Sequence, residues 1–534
     1  MNRATAVLAT VLAVLVPVVS TGCSSGDGPA PDASLTVPTS SGTLHGLSTP
    51  SAREFLGIPY ALPPTGPRRW TLPQPQPAAA GVVEATKAGP PCAQTPTVPG
   101  ASRSDAEDCL FANVTTPRDA EPGAKLPVMV WWHGGGYTTG SGAQYDAQRL
   151  ASRGHVVVVS INYRLGVFGY FGLPGLAGSG DFGFADQIAG TRWAKRNAAA
   201  FGGDPDNVTV FGESAGGMSA CALLTSPQAK GLVQKVAISS GSCLLKWPAG
   251  GLYPGLPSTT PYTSVAVTGQ DGVAAAKTLG CAQPDPLPCL RALPAPVVMK
   301  VNQTFANHLS YDTDLLPADP AQAVRQGRLA DVPVLSGGNR DEHNAFVAGV
   351  VAAVPEAVTA ASYPALLKTA FGLDADQVHQ RYPLDQFASS GPAAWAKVVS
   401  DSAWACPTLA GEHAMAAKTK VYGYEFADPD PPNLNGTKDP RLMGAAHATD
   451  LPYLFDLAGR NLLTRPGQAE LGDTMIGYWS SFARTGVPTA PGAPAMAAMT
   501  PTSATVTTLA PGAVHGEDTS AIHRCDLWRE VSTP

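Results

Sequence analysis

Three apolar runs constrain this chain more than any other feature: Pro127 to His133 (PVMVWWH), His155 to Asn162 (HVVVVSIN) and Val208 to Gly212 (VTVFG). Each is continuous rather than alternating, so neither face is left for water. Such strands belong inside a sheet covered on both sides. Between the second and third lies Ala185 to Phe201 (ADQIAGTRWAKRNAAAF), whose apolar positions recur every three or four residues. It is long enough to carry the chain from one parallel strand to the next. Further strands are predicted at Val332 to Leu335 and Val421 to Phe426, and helices at Tyr363 to Phe371, Pro392 to Ala405 and Ala469 to Thr485. From Gly42 to Val130 the rhythm differs: short β-like runs alternate with Pro-rich turns, densest between Pro59 and Pro67, as an irregular antiparallel edge would. The pattern is α/β, a large and mostly parallel central sheet with helices on both faces and an N-terminal antiparallel edge. With 534 residues, 44% hydrophobic and 14% charged, the chain supports a large buried core.

The N-terminus carries an address. Arg3 precedes an apolar stretch from Ala4 to Val19, followed by Ser20, Thr21, Gly22 and Cys23. The stretch is shorter than the roughly 20 residues a bilayer needs and contains Pro17, so residues 1–23 read as an export signal. Ser-Thr-Gly-Cys resembles a bacterial lipoprotein box, although Leu usually stands where Ser20 does; lipidation would fall on Cys23, and simple secretion is the runner-up. Residues 24–36, beginning SSGDGPAPDA, read as a flexible tether, and 37–534 as the folded domain. Export implies an oxidising compartment, so the eight cysteines after Cys23 are read as disulfides before metal sites. By spacing, Cys92 with Cys109 and Cys281 with Cys289 close short loops, and Cys406 is within reach of Cys525. Cys221 and Cys243 are either bonded together or free and buried. A net charge of −6 with no basic run argues against nucleic acid. The only route to a membrane is an anchor at Cys23.

The sharpest chemical signal is Gly212-Glu213-Ser214-Ala215-Gly216-Gly217, a Gly-x-Ser-x-Gly set between an apolar run and a helix-like one, Met218 to Leu224. A nucleophile elbow needs glycines around a strained Ser because the turn crowds neighbouring Cβ atoms. Ser is a weak nucleophile by itself and requires a base and donors for the developing oxyanion. Upstream, Trp132-His133-Gly134-Gly135-Gly136-Tyr137 follows a predicted strand. The N–H groups of Gly135, Gly136 and Ala215 are the candidate oxyanion donors. In such folds the acid and then the His follow the Ser. Glu342 follows the Val332 to Leu335 strand, with Asp341 as rival acid. His447 lies among small residues (Gly444-Ala-Ala-His-Ala), with His343 as rival base.

Taken together, Phe55-Leu-Gly-Ile-Pro-Tyr-Ala-Leu-Pro-Pro-Thr-Gly66, Glu107-Asp-Cys-Leu-Phe-Ala-Asn-Val114, the Gly134 to Gly136 loop, Asn162-Tyr-Arg-Leu-Gly166 and Phe201-Gly-Gly-Asp-Pro205 resemble the type B carboxylesterase family. That family includes bacterial nitrobenzyl-ester hydrolases and the cholinesterases. The resemblance runs from Gly42 to Trp528 and implies one α/β-hydrolase domain with a deep gorge. It implies Ser214, Glu342 and His447 as catalytic residues, supports the three disulfides above, and suggests Glu213 and Ser240 as supporting neighbours. It calls for no metal or organic cofactor. Two departures stand out. His343 occupies the position after the acid where the family usually has Gly. The segment between Cys92 and Cys109 has no aromatic residue, so the Trp that holds choline in cholinesterases has no counterpart there. The expected activity is serine carboxylesterase, on uncharged small-molecule esters of short to medium acyl chain. A catalytically silent adhesion relative, or a lipase or amidase with the same residues, is the alternative.

Overall fold

The computed structural model describes residues 35–96, 102–306 and 308–531. The expected export segment with Cys23, and residues 24–34 of the expected tether, lie outside the described residues.

Eleven strands form the central sheet: β1 (Leu47–Ser48), β2 (Ala52–Pro59), β3 (Phe111–Pro117), β4 (Leu126–Trp132), β5 (Val157–Ile161), β6 (Gly203–Glu213), β7 (Lys235–Ser239), β8 (Val334–Asn339), β9 (Val421–Phe426), β10 (Thr505–Ala510) and β11 (Ala513–Asp518). Their order across the sheet is β11-β10-β9-β8-β7-β6-β4-β5-β3-β2-β1. Every neighbouring pair from β5 to β10 is parallel. Strands β3, β2 and β1 extend the sheet antiparallel, forming the expected N-terminal edge, and the β10–β11 hairpin closes the other side. A separate three-stranded sheet joins Thr36–Thr39, Gly42–His45 and Val82–Glu84. Thr36, the last residue of the expected tether, pairs in this sheet with His45, with a 3.1 Å bond between their side chains.

The continuous apolar runs are explained by two cores. Val128, Val130 and Trp132 of β4 face one core together with Val157, Val159 and Ile161 of β5 and Val208 and Val210 of β6. The residues between them, Met129, Trp131, Val158 and Phe211, face the other. Helix α1 (Phe182–Asn197) covers the first face with Phe184, Ile188 and Trp193, and α2 (Ala215–Thr225) adds Leu223 and Leu224. Two further helices are α3 (Asn344–Ala353), which carries Phe346 to the site described below, and α4 (Gly391–Val399), which leads into the segment that carries Trp404 there. Helix α5 (Gln468–Thr485) covers the second face with Met475, Ile476, Trp479 and Phe482. Trp131 packs on Tyr145, Phe211 and Phe455 with ring centroids 5.1, 4.8 and 4.8 Å away. Truncating a buried ring of this size costs about 3–5 kcal/mol.

The expected helix Pro392 to Ala405 is broken: α4 ends at Val399 and a π turn runs from Ser400 to Ala405. The expected helix ending at Phe201 closes instead as a 3-10 turn from Ala198 to Phe201. All eight described cysteines are bonded, as Cys92–Cys109, Cys221–Cys243, Cys281–Cys289 and Cys406–Cys525. The second of these resolves the alternative left open for Cys221. Four disulfides suit an extracellular or secretory compartment. Among the described residues no helix is long and apolar enough to cross a membrane.

Candidate active site

Strand β6 ends at Glu213 and α2 begins at Ala215, so Ser214 makes the turn alone, at φ 54° and ψ −123°. A side-chain-bearing residue there is strained, and the surroundings hold it. Its N–H donates to Ser239 O at 3.0 Å, and its carbonyl accepts from Met218 N–H at 2.8 Å. The flanking glycines are a packing requirement. A Cβ on Gly216 would lie 1.9 Å from Trp132 O, and one on Gly212 2.5 Å from the Gly216 carbonyl carbon.

Glu342 hangs from the turn after β8, and His447 from the loop after β9, so these side chains and Ser214 meet at the carboxyl ends of parallel strands. His447 Nε2 lies 2.8 Å from Ser214 Oγ, and Nδ1 lies 2.6 Å from Glu342 Oε2. With the proton on Nδ1 donated to the carboxylate, Nε2 is left to accept from the hydroxyl. The other oxygen of Glu342 accepts from Asn339 N–H at 2.8 Å. Glu213 Oε1 sits 3.2 Å from His447 Nε2. Burial lifts the Glu213 carboxyl above the usual carboxylate range, against the pull of His447. Burial disfavours a charged His447, but the carboxylates of Glu213 and Glu342 outweigh it and raise the imidazole well above its ordinary value.

The rival residues are engaged elsewhere. Asp341 pins the His447 loop: its N–H donates to Ala445 O at 2.9 Å and its carboxylate accepts from Ala445 N–H at 3.1 Å. His343 is buried with its ring turned to Trp404, whose Nε1 donates to Nδ1 at 3.3 Å. The support expected from Ser240 differs. Its N–H donates to Gly337 O at 2.8 Å, yet among the described residues its hydroxyl has no hydrogen-bond partner. The donor to Glu342 is the Asn339 backbone instead, because the tight turn after β8 brings that N–H under the carboxylate.

The loop after β4 carries the candidate oxyanion donors Gly135 and Gly136. Gly135 and Gly136 have φ of 107° and 58°, and a Cβ on Gly135 would meet Thr139 O at 2.2 Å. Gly135 O accepts from Thr138 N–H and Thr139 N–H at 3.0 and 3.1 Å, folding the loop back on itself. Gln94 clamps its end, exchanging two 2.9 Å bonds with Gly140. Behind the loop, burial keeps His133 uncharged, lowering it to about 4. Its ring stacks on Tyr163 at 4.3 Å, while the Tyr163 hydroxyl donates to His133 O at 2.7 Å. Among the described residues, no backbone acceptor takes the N–H groups of Gly135, Gly136 or Ala215 outside helix and strand ladders.

Comparison with known proteins agrees with this geometry. The carboxylesterase family matches residues 33–528. The chain belongs to this family. A human protein named cocaine esterase is 33% identical over 469 residues, 82% of this chain and 80% of its own. The para-nitrobenzyl esterase of Bacillus subtilis (strain 168) is 34% identical over 470 residues, 85% of this chain and 90% of its own. A fumonisin B1 esterase of Sphingopyxis macrogoltabida is 32% identical over 488 residues, covering 86% and 83%. The protein is a carboxylic ester hydrolase of the serine carboxylesterase class.

Sequence reasoning missed three residues around the carboxylesterase site. Asn339, besides its backbone bond to Glu342, donates from Nδ2 to Ala446 O at 2.7 Å and so ties the acid's turn to the His447 loop. Its signal was a polar residue at the end of a strand, three before the Glu. Phe346 of α3 and Trp404 of the π turn flank the His447 ring, with centroids 5.1 and 4.9 Å away. Nothing local distinguishes them from core aromatics.

Proposed function

We propose that this carboxylesterase acts by two-step acyl transfer on uncharged esters of short to medium acyl chain. Ser214 Oγ attacks the ester carbonyl as its proton passes to His447 Nε2. Glu342 holds the proton on Nδ1 and stabilises the imidazolium that forms. The carbonyl oxygen, now negative, is held by the N–H groups of Gly135, Gly136 and Ala215. The tetrahedral intermediate collapses, His447 returns its proton to the leaving alcohol, and the acyl group remains on Ser214. Water then adds to the acyl-enzyme with His447 as base; the acid leaves and Ser214 Oγ regains its proton. The observation that carries this reading is the hydrogen-bonded chain Ser214–His447–Glu342, at 2.8 and 2.6 Å.

Substrate scope rests on chemistry near the site. The Cys92–Cys109 segment contains no aromatic residue to receive a choline head group. The para-nitrobenzyl esterase relative also supports small uncharged esters. Residues 1–23 are assigned as an export signal and those from 24 to the strand that begins at Thr36 as a tether to the esterase domain, with the enzyme anchored through a lipid on Cys23 at the outer face of a bacterial membrane or released.

The test is hydrolysis of nitrophenyl esters of graded acyl length by the mature chain and by Ser214→Ala. Turnover that peaks at short or medium chains and falls by about 10⁵-fold or more in the variant is expected. Equal rates in the two proteins, or none in either, would overturn the reading.

A further inference from the structure

His343 replaces the glycine that the family resemblance puts after the acid, and its side chain is fully used. The ring stacks nearly parallel on Phe346, with centroids 5.0 Å apart and planes at 10°. Its Nδ1 accepts from Trp404 Nε1 at 3.3 Å, which places the single proton of the neutral ring on Nε2. The Gly251 backbone is its other partner. The main-chain N–H of His343 donates to Ser400 Oγ at 2.9 Å, at the start of the π turn that carries Trp404. A π turn shifts side-chain phase within a helix and is frequent at functional sites. Here it brings Trp404 to the same imidazole that Phe346 touches.

Phe346 and Trp404 are in contact, 5.6 Å apart, and both lie against His447. The same point joins three surface segments. The first is the loop from Gly251 to Leu256, where Leu256 N–H donates to Tyr253 O and Tyr253 lies 6.5 Å from Phe346. The second is α3, which ends against Val354. The third is the chain at Met443, whose carbonyl accepts from Asn344 Nδ2 at 2.6 Å. Each exposes large apolar side chains: Tyr253 and Leu256, Val354, and Met443. Of these side chains Tyr253 is the one in ring contact with Phe346, so an exposed apolar group adjoins the aromatic pair beside His447, suited to a substrate group that has no charge to solvate.

We propose that His343 is a positioning, specificity-determining residue: uncharged, it holds Phe346 and Trp404 as one wall of the ester pocket and fastens the 251–256 loop beside it, selecting esters whose acyl group is a bulky, uncharged ring. This rests on the esterase reading above and names the substrate class of the same site. A glycine in this place removes the stack and both ring hydrogen bonds, while the hydrogen bonds that join Ser214, His447 and Glu342 involve no atom of His343. The wall then loses its fixed distance from the substrate, and a large flat group suffers more than a methyl group.

The experiment compares the native chain with His343→Gly and His343→Gln on p-nitrophenyl acetate and p-nitrophenyl benzoate, with kcat and KM determined separately. In His343→Gly, KM for the benzoate should rise about tenfold more than KM for the acetate, with the discrimination carried by KM rather than kcat. Gln can accept from Trp404 through its carbonyl and donate through its amide, so His343→Gln should restore most of the preference. Equal losses on both esters, or a benzoate preference unchanged in His343→Gly, would overturn the proposal. If His343→Gly does not fold, Trp404→Phe removes only the indole donor and ring area; an unchanged benzoate preference in that variant would overturn it equally. A native chain that hydrolyses neither ester would overturn the esterase reading itself.

Discussion

Around Ser214 the site is built of backbone, and around His447 it is built of side chains. The nucleophile turn and the Gly135–Gly136 loop work through φ angles and N–H directions, and a Cβ on Gly216 or Gly135 would strike a carbonyl oxygen at 1.9 or 2.2 Å. The other half joins Glu342 and His447, 105 residues apart, to aromatic rings from two further segments. The first half is fixed by exclusion, since its φ values and close contacts admit glycine and little else. The second depends on every contact being present, since Glu, His, Phe and Trp could each adopt other rotamers. Backbone-built chemistry should therefore fail sterically when altered, and side-chain-built chemistry electrostatically.

The strongest way to break this comparison is Glu342→Gln. The amide has nearly the shape of the carboxylate, so the turn after β8 and the Asn339 bond should survive. What is lost is the charge that fixes the His447 tautomer and stabilises its imidazolium. A drop in kcat of about 10⁴-fold is expected, with an unchanged circular dichroism spectrum. A loss below about tenfold would mean that the acid–base half is not organised around Glu342.

The same division explains what was legible in the sequence. The runs at Val128, Val157 and Val208 announced buried parallel strands because both cores impose apolar side chains. The elbow and the Gly135–Gly136 loop were readable because only glycine fits. Strand β7 was missed: it is five residues long and begins with Lys235, too short for a periodicity. The β10–β11 hairpin was missed because an edge strand needs apolar residues on one face only, and β11 is mostly exposed. Glu342 was chosen over Asp341 by resemblance, since no local pattern separates two adjacent acids; His447 was chosen over His343 by its loop of small residues and by resemblance. Ser240 was carried over by resemblance as support for the acid, whereas the bond comes from the Asn339 backbone, which has no residue type to read. Phe346 and Trp404 became visible only when the π turn at Ser400 and the start of α3 were placed against each other.

A smaller effect tests the backbone half. Gly135→Ala adds one methyl group at a φ of 107°, aimed at Thr139 O. The loop must rotate, and its N–H groups move off the position where the oxyanion forms. Loss of one such donor costs about 10²–10³ in kcat. KM should change much less, because the ground-state carbonyl uses these donors weakly. A rise in KM at constant kcat would place the loop in ground-state binding instead, and the division drawn above would fail at its firmer side.

The smallest effect lies where the halves touch, at Glu213, which belongs to the elbow strand but reaches His447 Nε2 at 3.2 Å. The base must be neutral to accept the Ser214 proton, so kcat/KM is present above the pKa of His447 and is lost as pH falls through it. Burial alone would lower that pKa, and the carboxylates of Glu213 and Glu342 raise it. Glu213→Gln removes one of these charges and keeps the volume, so the imidazolium loses support and the pKa falls. The acidic limb of kcat/KM should then move to lower pH by about one unit or more, so that the variant keeps a larger share of its own maximum under mildly acidic conditions. A direct titration of the His447 ring by NMR should move the same way. A limb that stays in place would mean that Glu213 is already protonated when His447 titrates, as its own burial favours. In that case the two halves meet through packing alone, and Glu342, with a smaller share from Asp450, carries the electrostatic support of the base.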